Sequence, residues 1–291
     1  MKSPARLLRL AAWHFTRVAI TLLVGGLLGA TLVRLAPGYG VTDADLDLRL
    51  SGDAVARSHA QRDAEPSLPR FYAHYLAGLA HGDLGWSTSL SCPIADLIRA
   101  RLPLSLATLA RGVTLAVVVG LAAALIGLRW RVVSILPSAA AIVCVSIPAA
   151  VISLMLLIKG LPGTWALAAA VFPHVYSYSR NLVEDAATSP HVVAAHARGI
   201  GPVRVILNHV LRTAAPQMLA VVGLAVSIGF PALVPIEVVC DSPGLLQLAW
   251  NAALARDMAV LVNVTLLAAV VVMTGNAASD VLSQTARSAR S

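Results

Sequence analysis

Gly112-Val113-Thr114-Leu115-Ala116-Val117-Val118-Val119-Gly120-Leu121-Ala122-Ala123-Ala124-Leu125-Ile126-Gly127-Leu128 contains neither a charged residue nor a proline. With the turns from Leu104 that precede it, the run has the roughly 20 residues needed to cross a bilayer's hydrocarbon core. Lipid offers backbone N–H and C=O groups no partners, so a run of this kind must be helical. Five other stretches are long and predominantly apolar, though each holds a charged residue or a proline: Ala12–Val33, Val132–Ile158, Pro162–Val183, Thr213–Ile236 and Met258–Leu282. The expected fold is therefore all-α, a polytopic membrane protein with six transmembrane helices.

Composition agrees. Hydrophobic residues make up 58% of the 291 and charged residues 12%, whereas soluble domains average about half and about a quarter. The net charge of +8 does not signal nucleic acid. The lysines are Lys2 and Lys159 alone, and the arginines fall in short groups between apolar blocks, not on one basic face.

The charges instead order the loops. Basic residues mark the N-terminal tail, Arg129 and Arg131 after the second span, Arg198, Arg204 and Arg212 after the fourth, and Arg287 and Arg290 at the end. The positive-inside rule makes all of these cytoplasmic. The connection from Leu35 to Pro103 has eight acidic and six basic residues, and Glu237–Asp257 has three acidic and one basic; both are expected outside. Both termini then lie inside. The N-terminus, with Lys2, Arg6, Arg9 and Arg17 before an apolar stretch, mimics a signal peptide but has no clear cleavage site, so it reads as an uncleaved first span. The organisation expected is 1–34, tail and first helix; 35–103, external loop; and 104–291, a five-helix core with a cytoplasmic loop at 184–212.

The most informative loop begins at Ser189-Pro190. Serine is a favoured N-cap and proline a favoured first helical residue. Gly199 is a natural stop. A helix of two to three turns is expected between them, slim because of Ala194, Ala195 and Ala197. Gly201 and Pro202 open a second helix. Arg204, Asn208 and Arg212 are expected on its polar face, and Val203, Ile206, Leu207 and Val210 on its apolar face.

Other polar residues leave alternatives open. Arg111 either snorkels to the outer interface or faces a polar cavity. His174, Tyr176, Ser177 and Tyr178 either line a pathway or bond to neighbouring helices. Arg111, His174 and Tyr178 are kept as pathway-lining candidates. Pro137 and Pro148 interrupt the third span and Pro173 the fourth, where proline kinks a helix. His74 and His81 lack an evident third ligand, so no metal site is expected. Cys92 and Cys240 share the outer side, which leaves a disulfide between them open against the default of unpaired thiols; no cysteine spacing supports a metal site.

Several of these segments resemble the permease subunits of binding-protein-dependent ABC importers, in the dipeptide/oligopeptide/nickel branch. Ala194, Ala195 and Gly199 match the family's cytoplasmic signature, with Val193 where an acidic residue is usual. Val205–Ala214 resembles its continuation, with departures at Asn208 and Thr213. Gly82-Asp83-Leu84-Gly85-Trp86-Ser87 resembles a Gly-Asp-Leu-Gly-x-Ser motif. Glu237 with Pro243-Gly244-Leu245 resembles an external loop, Arg256-Asp257 a later pair, and Asn276 and Asp280 polar positions of the last span. The Lys159–Gly163 connection is shorter than usual for the family.

The resemblance implies a type I ABC importer permease fold. It implies coupling to ATPases through Ala194, Ala195, Ala197, Arg198 and Gly199, and external motif loops at Gly82, Asp83, Gly85, Glu237, Pro243 and Gly244. The implied setting is the cell's inner membrane. The implied partners are a second homologous permease, two cytoplasmic ATP-binding subunits and an external substrate-binding protein, with lipid around them and no nucleic acid. The implied cargo is small peptides, with nickel or metal chelates and glutathione as alternatives.

The chain carries no Gly-Lys-Ser/Thr phosphate loop. It is expected to be no enzyme and to need no cofactor, leaving ATP to its partners. A membrane-embedded enzyme acting on lipid-linked substrates would need clustered catalytic groups, and a secondary transporter would favour acids at mid-membrane. Neither pattern is present in the sequence.

Overall fold

The computed structural model describes residues 84–288 apart from 88 and 131, together with a few isolated residues between 16 and 78. Most of the first expected span and of the long loop, including Gly82, Asp83, His74 and His81, lie outside the described residues. Two short strands come first, β1 (Trp86–Ser87) and β2 (Cys92–Pro93), paired antiparallel with Ser87 opposite Cys92. Helices follow: α1 (Ile94–Arg129), α2 (Ile135–Ser146), α3 (Ala149–Ile158), α4 (Gly163–Ala187), α5 (Pro190–Ala197) and α6 (Pro202–Val205). A π turn over Ile206–Val210 leads into α7 (Leu211–Val239), then α8 (Leu245–Leu254) and α9 (Met258–Ser288).

By length and composition α1, Pro202–Val239 and Met258–Val281 can cross a membrane. The expected single span Val132–Ile158 is instead two helices, α2 and α3, bent by 108°. Proline disfavours helical backbone in the residue before it. Ile147, before Pro148, is extended at φ −101, ψ 127, and the helix ends there. Pro173, by contrast, stays inside an unbroken α4.

The chain forms two compact units: Met1–Ala100 with Ala249–Ala269, and Arg101–Leu248 with Val270–Ser291. In the second unit, glycines mark where helices approach. A Cβ on Gly112 would lie 2.7 Å from Leu167, and one on Gly120 would lie 2.9 Å from Val175. Both contacts advance along the two helices together, so α1 and α4 run the same way. The intervening α2–α3 must therefore return the chain to its starting side. Gly163 meets Ile236 and Gly229 meets Val171, so α7 runs against α4. Gly223 meets Ser279 and Gly275 meets Val226, so α9 runs against α7. Small residues at such crossings let backbones close up and gain dispersion contacts where lipid supplies no hydrophobic drive. Within this unit the ends of α1, α4 and α9 and the start of α7 fall on one side, together with α5.

Candidate functional site

α5 is built as its sequence demands, with one departure. Ser189 has extended N-cap backbone (φ −66, ψ 144) and Pro190 takes the first turn. However, the Ser189 hydroxyl turns back to donate to the Ala186 carbonyl at 2.5 Å and caps no α5 amide. At the other end Gly199 has φ +75, a left-handed turn that favours glycine. The Gly199 amide donates to His196 O and the Ile200 amide to Ala195 O, the paired bonds of a Schellman stop.

The two faces of α5 differ. Val192 and Ala195 are buried with Val183, Ala186, Val205, Val210 and Ala214. Leu121, Leu125 and Leu128 of α1 and Ile200 pack on the same cluster. Val193, Ala194, Ala197 and Arg198 face outward. Ala195 is thus a core residue of its own chain, 4% exposed. Of the three alanines expected to slim this helix, only Ala194 and Ala197 are exposed.

The apolar face expected on the second helix is also shifted. Val203 and Leu207 are exposed at 64% and 54%, while Val205 and Val210 are buried. A 3.6-residue period groups Val203 with Leu207, but the π turn over Ile206–Val210, with its i to i+5 bonds, is wider than an α-helical turn, and Val205 rather than Val203 or Leu207 is buried with Val210. Sequence reasoning also missed the bond from His191 Nε2 to Thr213 Oγ1 at 2.9 Å, which ties α5 to α7.

Glu237 organises the opposite end of the second unit. It is 2% exposed. Its Oε1 accepts the Ser105 hydroxyl at 2.5 Å, and its Oε2 accepts the amides of Leu246 and Gln247 at 2.9 and 3.0 Å. The Leu245 amide donates to Ser105 Oγ at 2.7 Å. These amides are the unpaired donors at the start of α8, where the helix dipole favours negative charge. A Cβ on Gly244 would run into the Glu237 carboxylate. The Glu237 and Pro243-Gly244-Leu245 motif is therefore one clasp, and Gly244 is the space the carboxylate occupies.

In the first unit Asp257 plays a similar part. It is 1% exposed. Its Oδ2 accepts the Ser87 hydroxyl at 2.7 Å, the Ser89 amide at 3.0 Å and the Ser89 hydroxyl at 2.9 Å; Oδ1 accepts the Val260 amide at 3.2 Å. Burial pushes this carboxyl up, but those hydrogen bonds outweigh it and hold Asp257 below its ordinary value. Asn263 Nδ2 donates to Leu84 O at 2.9 Å. Gly85, at φ +79, turns the chain into β1. The structure thereby brings the Leu84–Ser87 motif onto the Arg256-Asp257 pair.

Between α2 and α4, within the second unit, lies a cavity of about 430 Å³. Of the three pathway candidates, His174 and Tyr178 line it, and so do Ser138, Arg180, Asn181 and Glu184. Arg111 is exposed on α1 and is not among the lining residues. Arg180 Nε donates to Glu184 Oε1 at 2.8 Å and its Nη1 to Ser138 Oγ at 3.2 Å. Near the end of the core, Ser227 donates to Asn276 at 2.7 Å, and Ser279 bonds both the Gly223 amide and the Leu219 carbonyl. Asn276 thus holds α9 to α7.

Residues 112–286 match the family described as binding-protein-dependent transport system inner membrane component. The oligopeptide transport system permease protein OppB of Salmonella typhimurium is 28% identical over 262 residues, covering 81% of this chain and 84% of that protein. AppB, an oligopeptide transport system permease protein of Bacillus subtilis, is 30% identical over 118 residues, or 40% and 37%. The glutathione transport system permease protein GsiC of Escherichia coli is 27% identical over 217 residues, or 68% and 71%.

Proposed function

Since the chain belongs to the family of binding-protein-dependent transport system inner membrane components, we propose that it forms half of the translocation pathway of an ATP-driven importer of small peptides, driven through α5. Membership makes it a multi-pass inner-membrane transporter subunit rather than an enzyme. The proposed arrangement has six spans with both termini cytoplasmic, and the core 104–291 carries the coupling loop 184–212. The proposed partners are a second, similar permease, two cytoplasmic ATPases and an external binding protein that delivers cargo. Gly82, Asp83, Gly85, Glu237, Pro243 and Gly244 belong to the outer motif loops. A peptide cargo is favoured by relatives whose names specify oligopeptide and glutathione, itself a small peptide; a metal chelate is the alternative.

The observation that carries this reading is the two-faced α5. One face is fused through Val192, Ala195 and Ile200 to α4, the start of α7 and the end of α1. The other presents Ala194, Ala197 and Arg198 bare. Packed cores deform little, so a push on the bare face moves those membrane helices as a body. When the ATPases close on ATP, that push rocks the path from outward to inward access. The small alanines let an ATPase groove close on the helix, and Arg198 supplies a charge at its end.

The test uses uptake and ATPase retention in three variants. Ala194→Glu puts a charge on the bare face and keeps a good helix former; it abolishes both uptake and retention, with membrane level and melting temperature unchanged. Gly199→Val strains the left-handed turn and abolishes uptake. Ala195→Glu buries an unpaired charge, so it also lowers the melting temperature. Wild-type uptake and retention in both Ala194→Glu and Gly199→Val would remove α5 from the coupling role.

A further inference from the structure

We propose that the cavity between α2 and α4 is a solute-contacting subsite that reads the two charged ends of a zwitterionic peptide, carboxylate at Arg180 and ammonium at Glu184. The inference rests on the permease reading above and adds to it a location and a recognition chemistry within the membrane helices of this subunit.

Ser177 and Tyr178 are exposed on α4, and Arg180 and Glu184 have side chains 41% and 51% exposed. They lie on the last turns of α4 (Gly163–Ala187), beside the loop from residue 184 that is placed on the cytoplasmic side, so the cavity they line is open to water at its inner end.

The lining holds one fixed cation and one fixed anion, paired at 2.8 Å. Such a site has no net charge to draw in a bare metal cation or a multiply charged anion. It matches a ligand that is neutral overall and carries separated charges. Exposed ion pairs are weak, so a zwitterion exchanges into this one readily: its carboxylate takes the Arg180 fork, its ammonium takes Glu184, and no charge is left unpaired. Arg180 is held for that role from behind. Ser138 Oγ accepts from it, bonds to Tyr176 at 3.0 Å and donates to Ser134 O. Tyr176 is stacked on Phe172.

His174 also lines the cavity. His174, Tyr178 and Asn181 recur at helical spacing on one face of α4. The apolar wall of Ile142 and Val145 takes small side chains.

The experiment uses the complete transporter, assembled with its partner subunits in membrane vesicles. Cys92, Cys144 and Cys240 are replaced by alanine and Ser177→Cys is introduced; Tyr178→Cys is a second reporter of the same cavity. A water-soluble sulfonated thiol reagent should label either reporter. Tri-alanine at about ten times its dissociation constant should slow labelling by about tenfold, whereas N-acetyl-tri-alanine amide, which lacks both charged ends, should not. Arg180→Gln and Glu184→Gln should each abolish the protection, and Arg180→Lys should restore part of it. ATP-driven tri-alanine uptake in the same vesicles tests the permease reading separately. Absent uptake in the wild type would sink that reading and this one with it. Normal uptake with neither reporter protected would sink the subsite alone. So would labelling only by a membrane-soluble maleimide, or protection unchanged by Arg180→Gln and Glu184→Gln.

Discussion

Alanine at position 244 would place a methyl group where the Glu237 carboxylate now sits, and the carboxylate would have to leave its three donors. Those donors are the Ser105 hydroxyl and the amides of Leu246 and Gln247. Hydrogen bonds to a charged group are worth about 1.5–3 kcal/mol each, and partial re-pairing returns some of that. Gly244→Ala is therefore expected to cost about 3–5 kcal/mol. Glu237→Ala removes the same three bonds and should cost a similar amount. In the double variant the carboxylate is gone, and with it the three closest atoms the new methyl would meet. Gly244 lies outside the left-handed region, so alanine is also free of backbone strain there. The second change should then add almost nothing. The expected coupling is therefore the full cost of Gly244→Ala, about 3–5 kcal/mol, far above the roughly 0.5 kcal/mol within which independent sites add.

The assay is thermal unfolding in detergent, followed by a thiol-reactive dye on Cys92, Cys144 and Cys240. At about 2–4 °C per kcal/mol, each single variant should melt about 6–20 °C low, and the double variant should match Glu237→Ala. Additive losses in the double variant, or a Gly244→Ala protein that melts with the wild type, would refute the clasp.

Asp257 should give stability a pH signature. Its carboxyl is held below its ordinary value when folded, so it stabilises the fold above the unfolded value of about 3.9 and loses that contribution as pH falls through the folded one. Asp257→Asn should melt lower than wild type at pH 7, and the gap should narrow below about pH 4; a gap that is constant with pH would contradict this. For topology, a cysteine at Ser67 should react with an impermeant reagent applied outside, and one at Thr188 should not, in a background without the native cysteines. The reverse pattern would invert the proposed orientation.

Sequence alone determined most of what depends on local chemistry and on solvent. Uncharged apolar runs have to be helices in lipid, whatever they pack against. Pro190 and Gly199 start and stop α5 through backbone constraints carried by those residues themselves. The signature alanines and the Glu237 to Leu245 segment pointed to the transporter family, and residues 112–286 match it.

Tertiary structure decided everything that depends on which face meets which. No local rule turns Ala195 inward and leaves Ala194 bare; the cluster around Val183 and Val210 does. Val210 is buried as its apolar face requires, but across the π turn Val205 takes the inner place expected for Val203 and Leu207. Pro148 marked a break, but its 108° bend is set by the packing of α2 and α3 on α4. Ser87 and Asp257 stand 170 residues apart, and Ser105 belongs to no motif the sequence displayed. A buried carboxylate needs donors, yet which ones reach it is known only once distant segments have folded onto it.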